Sequence, residues 1–153
     1  MSVAFRRESD EEHLEPKFEL PIPPGPNFVT PAGLAQIEQR VAGLELAVEA
    51  AGDEEQRKRV QRDLRYWRNR LASAQIAPVP RDGTVGIGSR VRFTLRGKAL
   101  EVRISGHDEA DPGQNCIAFS APLARALLGC AAGELADFAD EEDAIEVAAV
   151  QNA

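Results

Sequence analysis

The chain has 153 residues, 43% hydrophobic and 28% charged, with a formal net charge of −7; that length holds one ordinary core, or a helical unit beside a compact domain of about 70 residues. The acidic balance excludes a general nucleic-acid binder held through phosphates, because counterion release needs a basic surface, and leaves room only for a local contact. No apolar run approaches the roughly 18 residues of a membrane span and no apolar stretch follows a basic start, so a cytoplasmic protein without membrane attachment is expected.

Residues 1–28 are polar and acidic, then proline-rich at Pro21, Pro23, Pro24 and Pro26. Such a composition buries too little apolar surface to offset the entropy of ordering it, and it reads as a disordered or extended tail. The prolines also favour an extended, polyproline-like path along which Phe18, Leu20, Ile22 and Phe28 could dock on the folded part.

Thr30-Pro31 opens the first helix, with a capping hydroxyl followed by a proline at a position that has no amide to lose. Leu34, Ile37, Val41, Leu44 and Val48 recur at alternating steps of three and four, the seam of a two-helix coiled coil, and Gly52 stops the run. Asp53, Glu54 and Glu55 suit the positive end of a second helix, whose stripe is Val60, Leu64, Trp67 and Leu71. Two such stripes joined by a short turn make an antiparallel hairpin over residues 29–77, each helix about 30 Å long at roughly 1.5 Å per residue. Trp67 lies on the seam and is expected in the core, while Tyr66 beside it could stack on a base.

Pro78 and Pro80 end the second helix, and the Asp82-Gly83 turn leads into a second unit, residues 78–153, where the period becomes alternating. Val91, Phe93 and Leu95 face one way; after the Arg96-Gly97-Lys98 turn, Leu100, Val102 and Ile104 repeat the pattern. A loop from Gly106 to Asn115 leads to a third strand over residues 116–119, Pro122 starts a short helix closed by Gly129, and Ile145, Val147 and Val150 mark a final strand. The fold class is α+β: a helical hairpin, then a small antiparallel sheet with one short helix. Cys116 and Cys130 sit in apolar surroundings without ligand spacing to His13 or His107, and are expected as two reduced, packed thiols.

The second unit carries the string His107-Asp108-Glu109-Ala110-Asp111, then Gln114-Asn115, then Ser120-Ala121-Pro122-Leu123-Ala124-Arg125-Ala126-Leu127-Leu128-Gly129. Its order and spacing resemble the GreA and GreB transcription factors, in which an Asp-Glu-Ala-Asp loop precedes a Ser-Pro turn and helix. Leu71 to Ile76 and Gly83-Thr84-Val85 also resemble that family, so that the likeness runs over residues 29–150. It implies an FKBP-like C-terminal domain without prolyl isomerase activity that grips bacterial RNA polymerase at the rim of its secondary channel. The contact residues it implies are Ser120, Ala121 and Pro122 with Asp108, Glu109 and Asp111 of the preceding loop; Ala121 stands where the family usually has serine. A proline-rigidified turn suits such a contact because little order is lost on binding. The plainer reading makes Leu123, Leu127 and Leu128 core, Gly129 a helix cap, and Asp108 to Asp111 a solvated loop.

Cleavage-stimulating members of the family insert the hairpin so that acids at its tip share a Mg²⁺ ion in the polymerase active site, the oxygen-ligand chemistry of a two-metal hydrolysis. Their tip motif, Asp-Leu-x-Glu-Asn-Ala-Glu-Tyr, is not reproduced between Glu49 and Gln56; Asp53, Glu54 and Glu55 are the nearest substitutes, and they could equally serve the helix start and pair with Lys58 and Arg59. The arm is also shorter than in those factors. The resemblance therefore implies a non-cleaving regulator, closer to the short-armed Rnk proteins, with no enzyme activity and no cofactor of its own. Arg57, Lys58, Arg62 and Arg65, with Arg59, Arg68 and Arg70, form a basic face on the second helix. This face could meet RNA in the channel or an acidic polymerase surface, or it could be solvated and paired with Glu38, Glu45 and Glu49. The alternatives are a true cleavage factor, and a protein-interaction module whose hairpin pairs two chains; a monomer or weak dimer is expected. A hydrolase is not supported, since His107-Asp108 has no nucleophile placed by spacing.

Overall fold

The computed structural model describes residues 19–152. The part of the expected tail over residues 1–18, with His13 and Phe18, lies outside the described residues. The chain begins with a short strand, β1 (Asn27–Val29), followed by two helices of 20 residues each, α1 (Pro31–Ala50) and α2 (Glu54–Ser73). Thr30 caps α1, its hydroxyl accepting from the Gly33 amide at 3.0 Å. At the tip Asp53 caps α2 by accepting from the Gln56 amide at 2.7 Å, while the Gln56 side chain accepts from the Gly52 amide at 3.0 Å, a reciprocal arrangement close to a capping box. The seam closes within the chain: Ile37, Val41 and Leu64 are buried between the helices, with Leu34, Leu44, Val48, Val60, Trp67 and Leu71 half-buried around them.

The second helix ends earlier than expected. Ala74–Ile76 leaves it to form a strand, β2, paired in parallel with β1. The cause lies 46 residues upstream: the Asn27 side-chain amide donates to the Arg70 carbonyl at 2.8 Å and to Ser73 Oγ at 3.1 Å. It thus takes the acceptor that the next helical amide would have used, and the Ala74 amide turns back to Leu71 instead.

The remaining strands are β3 (Arg90–Leu95), β4 (Lys98–Ser105), β5 (Cys116–Ala118), β6 (Leu135–Phe138) and β7 (Glu141–Gln151), in the sheet order β5-β4-β3-β7-β6. One short helix, α3 (Pro122–Leu127), closes the core. The β3–β4 hairpin turns on Arg96 and Gly97, both at positive φ, which matches the right-handed twist of the strands it joins. Val91, Phe93, Ile104, Leu127, Ile145 and Val147 are at most 1% exposed and form the centre of the core, each such side chain contributing about 1.5–3 kcal/mol by leaving water.

Two features of the sheet differ from the expected antiparallel one. The third strand runs parallel to β4, with Arg103 opposite Cys116, because the loop between them, with a single 3-10 turn at Pro112–Gln114, carries the chain back only as far as Arg103, so that β5 runs beside the last three residues of β4 in the same direction. An unexpected hairpin, β6–β7, turns on Ala139 and Asp140, which both adopt positive φ without a glycine signal. Cys116 is buried and Cys130 half-buried, both as free thiols. Among the described residues no helix is long and apolar enough to cross a membrane.

Candidate functional site

The family-like string lies where the hairpin base meets the sheet domain. Gly106, at the end of β4, sits directly beneath β1: a Cβ there would fall 2.4 Å from the Phe28 carbonyl oxygen. The chain then turns outward, and Asp108 and Glu109 reach across the junction.

Asp108 faces the base of α2. Its carboxylate accepts from Arg70 Nε at 2.6 Å and from the Tyr66 hydroxyl at 2.5 Å, and the Arg70 and Asp108 side chains are only 2% and 8% exposed. Arg70 also donates to Asn27 Oδ1 at 2.8 Å, so that β1, α2 and the loop converge on one guanidinium. The sequence counts Arg70 among a solvent-facing basic row; it is instead the largest fully buried side chain, because its planar fork can satisfy a carboxylate and an amide together. Glu109 faces the other helix, accepting from the Thr30 hydroxyl at 2.7 Å and from Arg103 at 2.7 Å. Its oxygen lies 2.8 Å from where a Cβ on Gly33 would stand, so any side chain there would have to displace the Glu109 carboxylate. The two acids thus clamp both helices of the hairpin to the sheet. A cavity of about 350 Å³ opens beside the clamp, with Arg40 stacked 5.2 Å above the Trp67 ring on one wall.

His107 points to the other side. Its Nε2 lies 2.7 Å from Ser120 Oγ, and its ring stands 4.8 Å from that of Phe119, which in turn meets Phe28 of β1 edge-on at 5.7 Å. Burial lowers the imidazole pKa, the positive charge of Arg70 lowers it further, and Asp108 opposes both; the ring is neutral at pH 7. Ser120 and Pro122 are exposed and Ala121 is half-buried, with Pro122 in the first turn of α3. Asp111 is exposed and caps the 3-10 turn through the Gly113 amide at 3.1 Å.

The residues singled out in the sequence therefore separate into three places. Asp108 and Glu109 are engaged inside the molecule; Ser120, Ala121, Pro122 and Asp111 lie on the surface nearby. Asp53, Glu54 and Glu55 stand at the distant tip, where Asp53 is the cap and Glu54 pairs with Arg57 at 3.3 Å, one position short of the expected Lys58. Among the described residues no three of His, Cys, Asp and Glu come together so as to hold a metal ion. On the basic face Arg68 meets Glu45 at 2.9 Å and Arg65 meets Glu19. No local pattern marks the clamp partners Tyr66, Arg70 and Thr30, which lie 38 to 79 positions from the loop residues they meet, or Asn27 behind Arg70; only the missing side chains at Gly33 and Gly106 hint at close approach.

Burial raises the Tyr66 hydroxyl pKa to about 12, with its hydrogen bond to Asp108 as the second cause. Because the folded value lies above the unfolded one near 10, the buried un-ionised hydroxyl contributes fully to stability below pH 10, and that contribution is lost as pH rises toward 12. An ultraviolet titration of the single tyrosine is expected to show this late ionisation, and Tyr66→Phe to remove the matching loss of stability.

An acidic loop thus joins the base of a helical hairpin to a small sheet domain. The family described as transcription elongation factor GreA/GreB, C-terminal, matches residues 80–151. Among curated proteins, transcription elongation factor GreA of Mesoplasma florum is 39% identical over 61 residues, covering 39% of each chain. GreA of Legionella pneumophila is 42% identical over 65 residues, covering 39% of this chain and 41% of that one. These matches span about two-fifths of the relatives' length. Solved structures also align at 18% identity: GreA factor homolog 1 of Thermus thermophilus, over 83% of this chain and 99% of that one with a TM-score of 0.39, and a GreA/GreB factor of Nitrosomonas europaea, over 84% and 99% with a TM-score of 0.40. Residues 80–151, a little under half of the chain, therefore match the C-terminal domain of the GreA/GreB transcription elongation factors.

Proposed function

We propose that this protein is a transcription regulator that binds bacterial RNA polymerase at the entrance of its secondary channel and has no strong transcript-cleavage stimulation of its own. The observation that carries the reading is the surface formed by exposed Ser120 and Pro122 with half-buried Ala121 between them, inside the family-matched domain, Ser120 being bonded to His107 on the loop whose Asp108 fixes the hairpin. Binding there would transmit orientation directly to the arm. Asp111 adds an exposed carboxylate beside the same surface. In this reading Asp108 and Glu109 act by positioning the arm.

The arm itself argues against cleavage. Its helices have 20 residues each, about 30 Å of reach, and at the tip Asp53 caps α2 while Glu54 meets Arg57. A cleavage factor would need Asp53, Glu54 or Glu55 to reach the polymerase's Mg²⁺. A dimerisation module is disfavoured because the seam is filled within one chain, which supports a monomer. The remaining basic face, Arg57, Lys58, Arg62 and Arg65, offers a local contact for RNA in the channel or for an acidic protein surface.

The test is binding to purified bacterial core polymerase. Ser120→Arg, at an exposed position, is expected to leave the melting temperature unchanged and to weaken binding roughly tenfold or more, as for a residue at the centre of an interface. Neutralising Asp53, Glu54 and Glu55 is expected to leave binding intact. Full binding by Ser120→Arg would remove this surface from the contact.

A further inference from the structure

The clamp leaves His107 unused. Its ring is set by Phe119 at 4.8 Å, itself braced by Phe28 of β1 at 5.7 Å, and Nε2 meets the Ser120 hydroxyl at 2.7 Å. The two residues are 13 positions apart, a separation that no local rule turns into a contact; the return of the chain along β5, beside the end of β4, brings them together. The hydroxyl-bearing residue is exposed and the imidazole half-buried, so a molecule from solvent can approach Ser120 while the ring stays fixed behind it.

A serine hydroxyl bonded to an imidazole nitrogen becomes a nucleophile because the ring can take its proton as the oxygen attacks. The ring is free to do so at neutral pH: burial disfavours the imidazolium and the charge of Arg70 on α2 adds to this, with Asp108 of the same loop opposing both. The accepting tautomer carries its proton on Nδ1, and among the described residues that nitrogen is buried without a hydrogen-bond partner. Asp108, the adjacent carboxylate, is engaged by Arg70 and Tyr66 instead. The imidazolium that forms is therefore not held as it is in a serine–histidine–aspartate triad, and the pair suits a single acyl transfer rather than repeated turnover.

We propose that His107 and Ser120 form a base–nucleophile pair that makes Ser120 a site of acylation by activated acyl donors, the class that includes acyl phosphates, thioesters and aryl esters. Ser120 Oγ attacks the carbonyl carbon, and its proton passes to His107 Nε2. As the tetrahedral adduct collapses, the bond from carbon to the leaving group breaks and the leaving group departs with that proton. One serine ester forms, nothing is oxidised or reduced, and the acyl group stands on the exposed surface between β5 and α3. The inference rests on the geometry of the pair and does not depend on the polymerase reading.

Reaction of the full chain with p-nitrophenyl acetate tests it, the acetylated positions being followed in time by peptide mass mapping. Ser73 is the internal reference: it too is exposed, but its hydroxyl donates to the Asn69 carbonyl at 2.9 Å, which cannot accept the proton outright. Ser120 is expected to be acetylated at least about tenfold faster than Ser73, a lower bound on the roughly 10²–10⁴-fold that a positioned general base contributes. In the unaltered chain the Ser120 rate is expected to rise with pH through one inflection below 6.5, as His107 loses its proton, and then to level off. In His107→Gln, whose fold is checked by its melting temperature, it is expected to fall to within tenfold of the Ser73 rate. A Ser120 rate within tenfold of that of Ser73 in the unaltered chain would overturn the pair, as would a rate without the inflection or one undiminished in His107→Gln.

Discussion

Arg70→Ala is expected to destabilise the protein by about 3–5 kcal/mol, the cost of leaving a buried carboxylate without its cation. Asp108 is 8% exposed at its side chain and would keep only the Tyr66 hydroxyl, while Asn27 would lose the donor that orients it. Asp108→Ala is expected to be comparably severe, because Arg70 would remain inside with a neutral amide as its sole side-chain acceptor. The pair replaced together, Arg70→Met with Asp108→Leu, is expected to lose far less than the two single losses summed, since no net charge is left buried; the unpaired Tyr66 and Asn27 groups, at about 1–3 kcal/mol each, keep it below the wild type. Urea unfolding checks all three. By contrast, Arg68→Ala removes an exposed pair with Glu45 and is expected to change stability by less than about 1 kcal/mol.

Gly106→Ala is the second large effect. A methyl there would stand 2.4 Å from the Phe28 carbonyl oxygen and 3.4 Å from the Val29 Cα, and both obstacles are backbone. Unlike a flexible side-chain end, β1 can yield only by lifting as a unit, which pulls Asn27 from Arg70 and breaks the bond from the Ala77 amide to the Val29 carbonyl, 3.0 Å long. A loss of about 1–3 kcal/mol or more is expected, the range for overpacking a fitted site, with faster hydrogen exchange at Ala77. Gly43→Ala is the internal control: nothing lies within 4 Å of a Cβ at that position of α1, so the change is expected to stabilise the helix by about 0.5–1 kcal/mol.

What the sequence made legible was what short-range rules govern. Thr30-Pro31 and Gly52 frame a helix because capping and termination act within one turn, and Val91 to Leu95 reads as a strand because one face of it is buried. The short helix at Pro122 follows from the same local signals. Ala74–Ile76 reads as helix in isolation and becomes a strand only because Asn27 claims the Arg70 carbonyl. The direction of β5 and the β6–β7 hairpin depend likewise on where distant strands lie. The candidate site shows the same limit. The likeness to GreA and GreB singles out Asp108 and Glu109, but their roles come from Arg70, Tyr66, Thr30 and Arg103, which the pattern leaves among ordinary surface residues. Arg70 in particular is masked by a row of arginines on the same helix.

The most direct test of the functional reading follows the RNA in stalled, backtracked bacterial polymerase complexes supplied with Mg²⁺, with this protein alone and then together with an authentic Gre cleavage factor. Intact RNA with this protein alone, and slowed cleavage by the added factor that returns to full rate with Ser120→Arg, is the expected result: a channel-binding regulator that competes without cleaving. Shortened RNA from this protein alone, abolished by Asp53→Ala with Glu54→Ala, would contradict it and make the tip acids part of the reaction.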